Sequence, residues 1–478
     1  MLYKLPDITQ NISSEAPFEK CALGRQKYAE LLTEIVSNTD QGVISLNGSW
    51  GTGKTTFVRM WEVFLRNKGF KTLYFNVWDN DYTIDPMVSL MSQLVKLFKH
   101  EKYKKSVRSV LSQFGKIIVN VSKPVGKGLI KKLSGVDLDD VTDGLSEASE
   151  VAVDEVANLG EKLLERISKE QEDIEAFKNA LETIVKSSAN ESENQKPIIC
   201  FIDELDRCNP HYSVLVLERI KHIFSIPGIV FVLSVDKKQF GNAIRGYYGS
   251  DLIDANEYLR RFIDLDLNLP PISSEQFFDY LYKSFDIKSI FSKRNDRDIR
   301  GEHENFKIVG ELLLDRSSIT LRQAEKMMGH IQLVLSSISS NQYFTASVIT
   351  ILIYLRFVNN DFYEKILNRQ FSPQELINEL EDQFKNFFSA KRYNETPVRV
   401  FVYSLAEIVS MYNSNEYDSK DVKILEGQGS DRKLLVKLNL IPEDIFIEAL
   451  SWESQRFRFG TPTLKSIIDK IELVNTIM

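Results

Sequence analysis

Gly42-Val-Ile-Ser-Leu-Asn-Gly-Ser-Trp-Gly-Thr-Gly-Lys-Thr-Thr-Phe-Val58 reads as a buried strand, a tight glycine-rich loop and the start of a helix. Val43, Ile44 and Leu46 supply the apolar strand. Phe57, Val58, Trp61, Phe64 and Leu65 follow at helical spacing, in a run that Gly69 can end. Between them, Gly48 to Thr55 matches G-x-x-x-x-G-K-[ST]. Gly48, Gly51 and Gly53 allow the backbone to curl until successive N–H groups face one centre, and such a centre suits a phosphate. Lys54 can then reach β- and γ-phosphates, Thr55 can put its hydroxyl on Mg²⁺, and the helix N-terminus adds its dipole.

The chain has 478 residues, too many for one ordinary domain, and 43% of them are hydrophobic, as in a globular protein with sizeable cores. A formal charge of −7 argues against a protein that coats nucleic acid with its whole surface, while leaving room for a local basic patch. Cys21, Cys200 and Cys208 are too few for a disulfide framework and have no zinc-site spacing with histidine, which fits a reducing cytosol. The first residues carry no secretory signal, so a cytoplasmic protein is expected. Ile331 to Leu355 has no Asp, Glu, Lys or Arg across 25 residues, yet Ser336, Ser337, Ser339, Ser340, Asn341 and Gln342 fall where a bilayer centre would be. Two core helices meeting at a turn are expected there instead of a membrane span.

Outward from the loop, the chain alternates. A helix is expected within residues 17–37, a second strand over 71–77 closed by Trp78, and a helix from Asp85-Pro86 carrying Met87, Leu90, Met91 and Leu94. Charge then changes sign abruptly. Residues 99–132 hold ten Lys or Arg against Glu101, and residues 137–165 hold ten acids against Lys162. Leu145, Ala148, Ala152, Val156, Leu159, Leu163 and Ile167 keep helical spacing, so the segment reads as an excursion of solvated amphipathic helices whose charges neutralise each other. The sharper reading puts Lys102, Lys104, Lys105, Arg108, Lys116, Lys123, Lys127, Lys131 and Lys132 on the phosphates of nucleic acid or anionic lipid.

Pro197 to Asp203 returns as an apolar strand ending in acid. Asp203 can hold an ion's water shell from a rigid strand end, and Glu204 can orient and deprotonate an attacking water. Ile229 to Val235 is another apolar strand, after which Ser234 or Asp236 would lie beside a nucleotide, and Phe262 to Leu269 alternates before Pro270-Pro271. Five strands alternating with helices imply a parallel sheet covered on both faces, with ligands at the strands' carboxyl ends. Beyond Pro271 the spacing is helical, from Ser274, Phe306, Thr320, Phe344, Ser372 and Val398.

Leu23-Gly24-Arg25, Gly-Ser-Trp-Gly-Thr-Gly-Lys-Thr-Thr56, Phe75-Asn76-Val77-Trp78, Phe201-Ile-Asp-Glu-Leu-Asp-Arg-Cys208 and Phe231-Val-Leu-Ser-Val-Asp236 together resemble the KAP family of P-loop NTPases, over residues 17–335. Members resemble AAA+ and STAND ATPases in fold, bind ATP with Mg²⁺, and in bacteria often sit in mobile elements or anti-phage defence systems. The resemblance implies nucleotide binding by Gly48, Ser49, Trp50, Gly51, Thr52, Gly53, Lys54, Thr55 and Thr56, with Gly24 and Arg25 alongside. It also implies Mg²⁺ at Thr55 and Asp203, catalysis by Lys54 and Glu204, and a signature block holding Asp206 and Arg207. The family often carries transmembrane helices between its second and third core strands. Here that place holds the charged residues 99–196, which argues against a membrane partner, and Glu204 stands where many members have Asp.

The expected architecture is thus an α/β P-loop NTPase core at 1–98 and 197–271, a charged helical insertion at 99–196 and a mainly helical C-terminal domain at 272–478. The expected activity is Mg²⁺-dependent ATP hydrolysis serving as a switch, and the resemblance implies a setting in anti-phage defence together with a partner protein. An N-K-x-D guanine motif is lacking, which makes ATP the default, and Glu204 beside Asp203 favours water over a kinase's acceptor. The rivals are a nucleic-acid motor or clamp gripping through the basic run, and a slow nucleotide-binding scaffold. Arg322 resembles the sensor arginine of related ATPases, and Arg260 or Arg261 is the candidate finger supplied in trans within a homo-oligomer.

Overall fold

The computed structural model describes residue 9 and residues 12–19, 21, 23–82, 86–98, 103–121, 156–189, 196–271, 273–293, 301–316, 319–339, 342, 345–388, 395–414, 424–427, 432–456 and 462–477. It divides into a unit spanning Ile8–Pro270 and a second unit that begins at Pro271. The first unit runs α1 (Gln26–Ser37), β1 (Gly42–Asn47), α2 (Lys54–Asn67), β2 (Thr72–Asn76), α3 (Pro86–Leu97), α4 (Lys104–Val121), α5 (Val156–Ala189), β3 (Ile198–Asp203), α6 (Pro210–Arg219), β4 (Ile229–Val235), α7 (Lys237–Tyr248), α8 (Ala255–Arg260) and β5 (Leu265–Asn268).

All five strands are parallel, in the order β2-β3-β4-β1-β5. The register aligns their carboxyl ends: Asn76 pairs with Asp203, Asp203 with Ser234, and Asn47 with Val235. Strands β3 and β4 are buried along their whole length, which is why their sequences are continuous apolar runs. One face of the sheet packs Ile44, Leu46, Ile199, Phe201 and Val232 under Phe57 and Trp61 of α2 and Leu32 of α1. The opposite face packs Leu73, Phe75, Cys200, Ile202, Phe231 and Leu233.

Helices α4 and α5, which the charge count marks as an excursion from the core, help to cover that opposite face. They pack on each other, with the rings of Phe114 and Phe177 5.7 Å apart. Val110, Phe114, Ile117, Phe177, Leu181, Ile184 and Val185 are buried in the same cluster as the strands. Among the described residues, Lys104, Lys105, Arg108, Glu172, Glu175 and Lys186 are exposed while those apolar positions are buried, so the described parts of these two helices are amphipathic and share the core. Leu145, Ala148 and Ala152 lie outside the described residues.

Helix α1 begins at Gln26, within the expected 17–37, where Gly24, at φ +60°, turns the chain immediately before it. One boundary differs from expectation. The fifth strand is limited to Leu265–Asn268, and before it Asp254 caps the short helix α8 by accepting from the N–H groups of Asn256 and Glu257.

The second unit is mainly helical: α9 (Ser274–Ser284), α10 (Ile287–Ser292), α11 (Glu302–Arg316), α12 (Leu321–Ser337), α13 (Ala346–Val358), α14 (Asn360–Leu367), α15 (Pro373–Gln383), α16 (Thr396–Asn413), α17 (Glu443–Arg456) and α18 (Leu464–Ile477). A two-stranded ribbon, Leu425–Glu426 against Lys433–Leu434, adds strand structure that the sequence pattern does not announce. Thr320 with Gln323 and Ser372 with Glu375 form capping boxes that start α12 and α15. The uncharged stretch is divided between α12 and α13, whose residues 346–355 are all buried. Among the described residues, no helix is long and apolar enough to cross a membrane.

If α5 belongs to the core, Phe177→Ala should lower the unfolding free energy by about 3–5 kcal/mol in denaturant titrations. A loss under about 0.5 kcal/mol, the level of a surface substitution, would contradict it.

Candidate functional site

The glycine-rich loop closes between the end of β1 and the start of α2. Gly51 and Gly53 take φ of +77° and +81°, values open to glycine without strain, and Gly53 precedes the first helical residue, Lys54. Gly48 is anchored to the sheet by its N–H to the Val235 carbonyl at 3.1 Å. A Cβ there would stand 3.0 Å from Thr52 Oγ1 and 3.3 Å from Lys54 Cγ, so the loop is folded tightly around a missing side chain. Lys54 is buried, and its Nζ donates to the carbonyls of Gly48 at 2.6 Å and Ser49 at 3.2 Å. Burial lowers its pKa, opposed by the charges of Asp206, Asp236 and Asp203.

Those acids come from the carboxyl ends of β3 and β4. Asp203, only 1% exposed, accepts from the Glu204 N–H at 3.0 Å and from the Tyr74 hydroxyl at 2.9 Å. Burial and the Asp203 charge push the Tyr74 phenol well above its ordinary range, so it remains a donor. Glu204 sits at φ +64°, a left-handed conformation that costs a non-glycine residue about 1–3 kcal/mol and is concentrated at functional sites. Its Oε1 accepts from the Thr55 hydroxyl at 3.3 Å and its Oε2 pairs with Arg207 at 2.7 Å. Burial raises the Glu204 pKa, with Arg207 pulling it down and Asp203 pushing it up.

Trp50 is tied twice. Its backbone N–H donates to Asp236 Oδ2 at 3.2 Å and its indole Nε1 to Asp206 Oδ2 at 2.5 Å. Asp206 also accepts from the Asp236 N–H at 3.1 Å, and Asp236 caps α7 through the N–H groups of Lys238 and Gln239. The third residue of the loop is therefore held by the acids that surround Lys54. Arg25, 3% exposed, plays a comparable part from below, donating to the Thr52 carbonyl at 3.0 Å and the Pro270 carbonyl at 3.1 Å. Burial draws its pKa down to about 10.

Of the residues singled out from sequence, Lys54, Thr55, Asp203, Glu204 and Asp206 come together at the loop. Gly24 shapes the turn before α1, and Arg25 reaches the loop's backbone. Ser49 and Trp50 are exposed, whereas Gly51, Thr52, Thr55 and Thr56 are half-buried. Arg260 instead reaches Glu257 at 2.8 Å from an exposed position, and the Arg261 carbonyl accepts from Lys221. Arg322 is exposed in the first turn of α12, in the second unit. Lys104, Lys105 and Arg108 are exposed on α4, whereas Lys102, Lys123, Lys127, Lys131 and Lys132 lie outside the described residues, as does the Lys116 side chain. Tyr74 went unnoticed in the sequence; its only signal is that Thr72, Tyr74 and Asn76 alternate onto the face that Asp203 shares.

The donors fit a nucleotide with a hard cation. Among the described residues no three His, Cys, Asp or Glu side chains cluster to cage a metal. Mg²⁺ needs no such cage when a hydroxyl, one or two carboxylates, waters and substrate phosphates suffice. The KAP family P-loop domain matches residues 25–338. The chain belongs to the KAP family. That match spans the loop, the acidic end of β3 and Arg322. None of the curated proteins matches the chain. Among solved structures, a single-substitution mutant of Thermotoga maritima RuvB is similar at 11% identity and a TM-score of 0.31, over 95% of this chain and 99% of that one. PCH-2 of C. elegans is similar at 13% identity and a TM-score of 0.23, over 80% of this chain and 68% of that one.

Trp50→Phe keeps an aromatic ring and removes the indole donor to Asp206. It should lower stability by about 1–2 kcal/mol in denaturant titration, and wild-type stability would mean the tie contributes nothing.

Proposed function

We propose that this KAP NTPase hydrolyses ATP with Mg²⁺ and acts as a nucleotide-controlled switch. The observation that carries the reading is the Glu204 carboxylate, turned out of the strand by its left-handed backbone and placed between Thr55 and Arg207. In this reading the loop N–H groups and Lys54 bind the phosphates, and Thr55 and Asp203 hold the Mg²⁺. The bound ion would neutralise charge on the phosphate oxygens. Glu204 orients water and takes its proton, and its raised pKa makes it a better base than an ordinary surface glutamate.

Lys54→Ala should weaken nucleotide binding, whereas Glu204→Gln should keep binding and reduce turnover about 10²-fold or more. Because burial raises the Glu204 pKa, the wild-type rate should fall on acidification at a pH above the ordinary glutamate range. Equal turnover in wild type and Glu204→Gln would contradict the assignment. The setting carried over from the family is bacterial anti-phage defence with a partner protein; protection in a phage plating assay that survives Lys54→Ala would count against it.

The switch reading includes assembly. Arg260 has 75% of its side chain exposed at the end of α8, immediately before β5, where it is open to a neighbouring copy. An arginine supplied in trans is worth about 10³–10⁵ in rate, enough to make hydrolysis depend on oligomerisation. Arg322 is the residue through which the helical unit would respond to ATP or ADP. Arg260→Ala, Arg261→Ala and Arg322→Ala proteins that all turn over normally would remove these roles. Rescue of an Arg260→Ala or Arg261→Ala protein by Lys54→Ala subunits with intact arginines would support the role in trans.

A further inference from the structure

Both carboxylate oxygens of Asp203 are bonded by neighbours. The Glu204 N–H takes Oδ1, and the Tyr74 hydroxyl takes Oδ2 from the adjacent strand β2 at 2.9 Å. Tyr74 is itself braced. The Arg59 guanidinium lies over its ring, 4.2 Å from the centroid. Arg59 stands one turn after Thr55 on α2 and pairs at 2.8 Å with Glu62, which is buried and also bonded by Arg66 and Thr72. A continuous set of contacts thus leads from the helix that carries Thr55, through Arg59 and the Tyr74 ring, to the carboxylate of Asp203.

We propose that Tyr74, braced by Arg59, is a positioning residue that fixes the Asp203 carboxylate relative to the Thr55 hydroxyl and thereby sets both affinity and selectivity for the divalent cation. This rests on the proposed function, in which Thr55 and Asp203 hold the ion. A carboxylate bonded at both oxygens cannot rotate to chelate. That suits Mg²⁺, which demands near-ideal octahedral angles, and disfavours Ca²⁺, which accepts bidentate carboxylates in flexible geometry. Partners one step behind metal ligands typically change metal affinity by about 10- to 100-fold.

The test is equilibrium binding of a fluorescent ATP analogue to the full chain, titrated with Mg²⁺ or Ca²⁺ and repeated in EDTA. Tyr74→Phe should bind the analogue in EDTA within about twofold of wild type, because the loop is intact. Its Mg²⁺ half-point should rise about 10-fold or more while the Ca²⁺ half-point stays or falls, so that discrimination shrinks. Arg59→Gln should shift the ratio in the same direction, and Arg59→Lys, which keeps a cation over the ring, should restore it. An unchanged Mg²⁺ to Ca²⁺ ratio in Tyr74→Phe overturns the proposal, including the case in which stability and EDTA binding fall together as for a purely structural residue. A wild-type protein whose nucleotide affinity is indifferent to Mg²⁺ overturns the underlying metal assignment as well, so the two failures are distinguishable.

Discussion

Three carboxylates, those of Asp203, Asp206 and Asp236, are buried beside one buried lysine at the carboxyl edge of a parallel sheet. Burying that much negative charge is costly unless each carboxylate is hydrogen-bonded and a cation lies near. The molecule meets the condition with Lys54, with the Trp50 indole, with the Tyr74 hydroxyl and with the backbone N–H groups of Trp50, Glu204, Asp236, Lys238 and Gln239. Two of these bonds, both donated by Trp50, also tie down the glycine-rich loop. Charge balance and loop geometry meet at Trp50, which is bound to the acids that follow β3 and β4.

That construction needs a rigid sheet, and the sheet needs cover on both faces. Helices α1 and α2 supply one cover, with Trp61 edge-on to Phe201 at 5.2 Å. The other is completed from α4 and α5, which the chain delivers between β2 and β3. Where relatives in the family often place transmembrane helices, this protein places two amphipathic ones whose described apolar residues, among them Val110, Phe114, Phe177 and Leu181, are part of the core.

Much of this was legible in the sequence. The strand, loop and helix around Lys54, the acidic end of β3 and the mainly helical second unit all follow from local pattern, because apolar periodicity and glycine placement act over a few residues. What was not legible depends on distance or on backbone conformation. No local pattern reveals that Glu204 adopts a positive φ, since the residue type argues against it. Arg25 and Pro270, or Tyr74 and Asp203, meet only once strand order and register are known. The insertion misled for another reason: counting charges over 99–165 hides the spacing of Val110, Phe114 and Ile117, which decides burial.

The proposed function requires that the loop and the acids of β3 form one nucleotide and metal site with Glu204 as its base. The most direct measurement is a crystal structure of the full chain with Mg²⁺ and a non-hydrolysable ATP analogue. The expected result is the terminal phosphate within the loop against Lys54, the ion on the Thr55 hydroxyl with Asp203 in its water shell, and a water within hydrogen-bond reach of Glu204. A nucleotide bound away from the loop, or Glu204 ligating the ion directly with no water before it, would contradict that account.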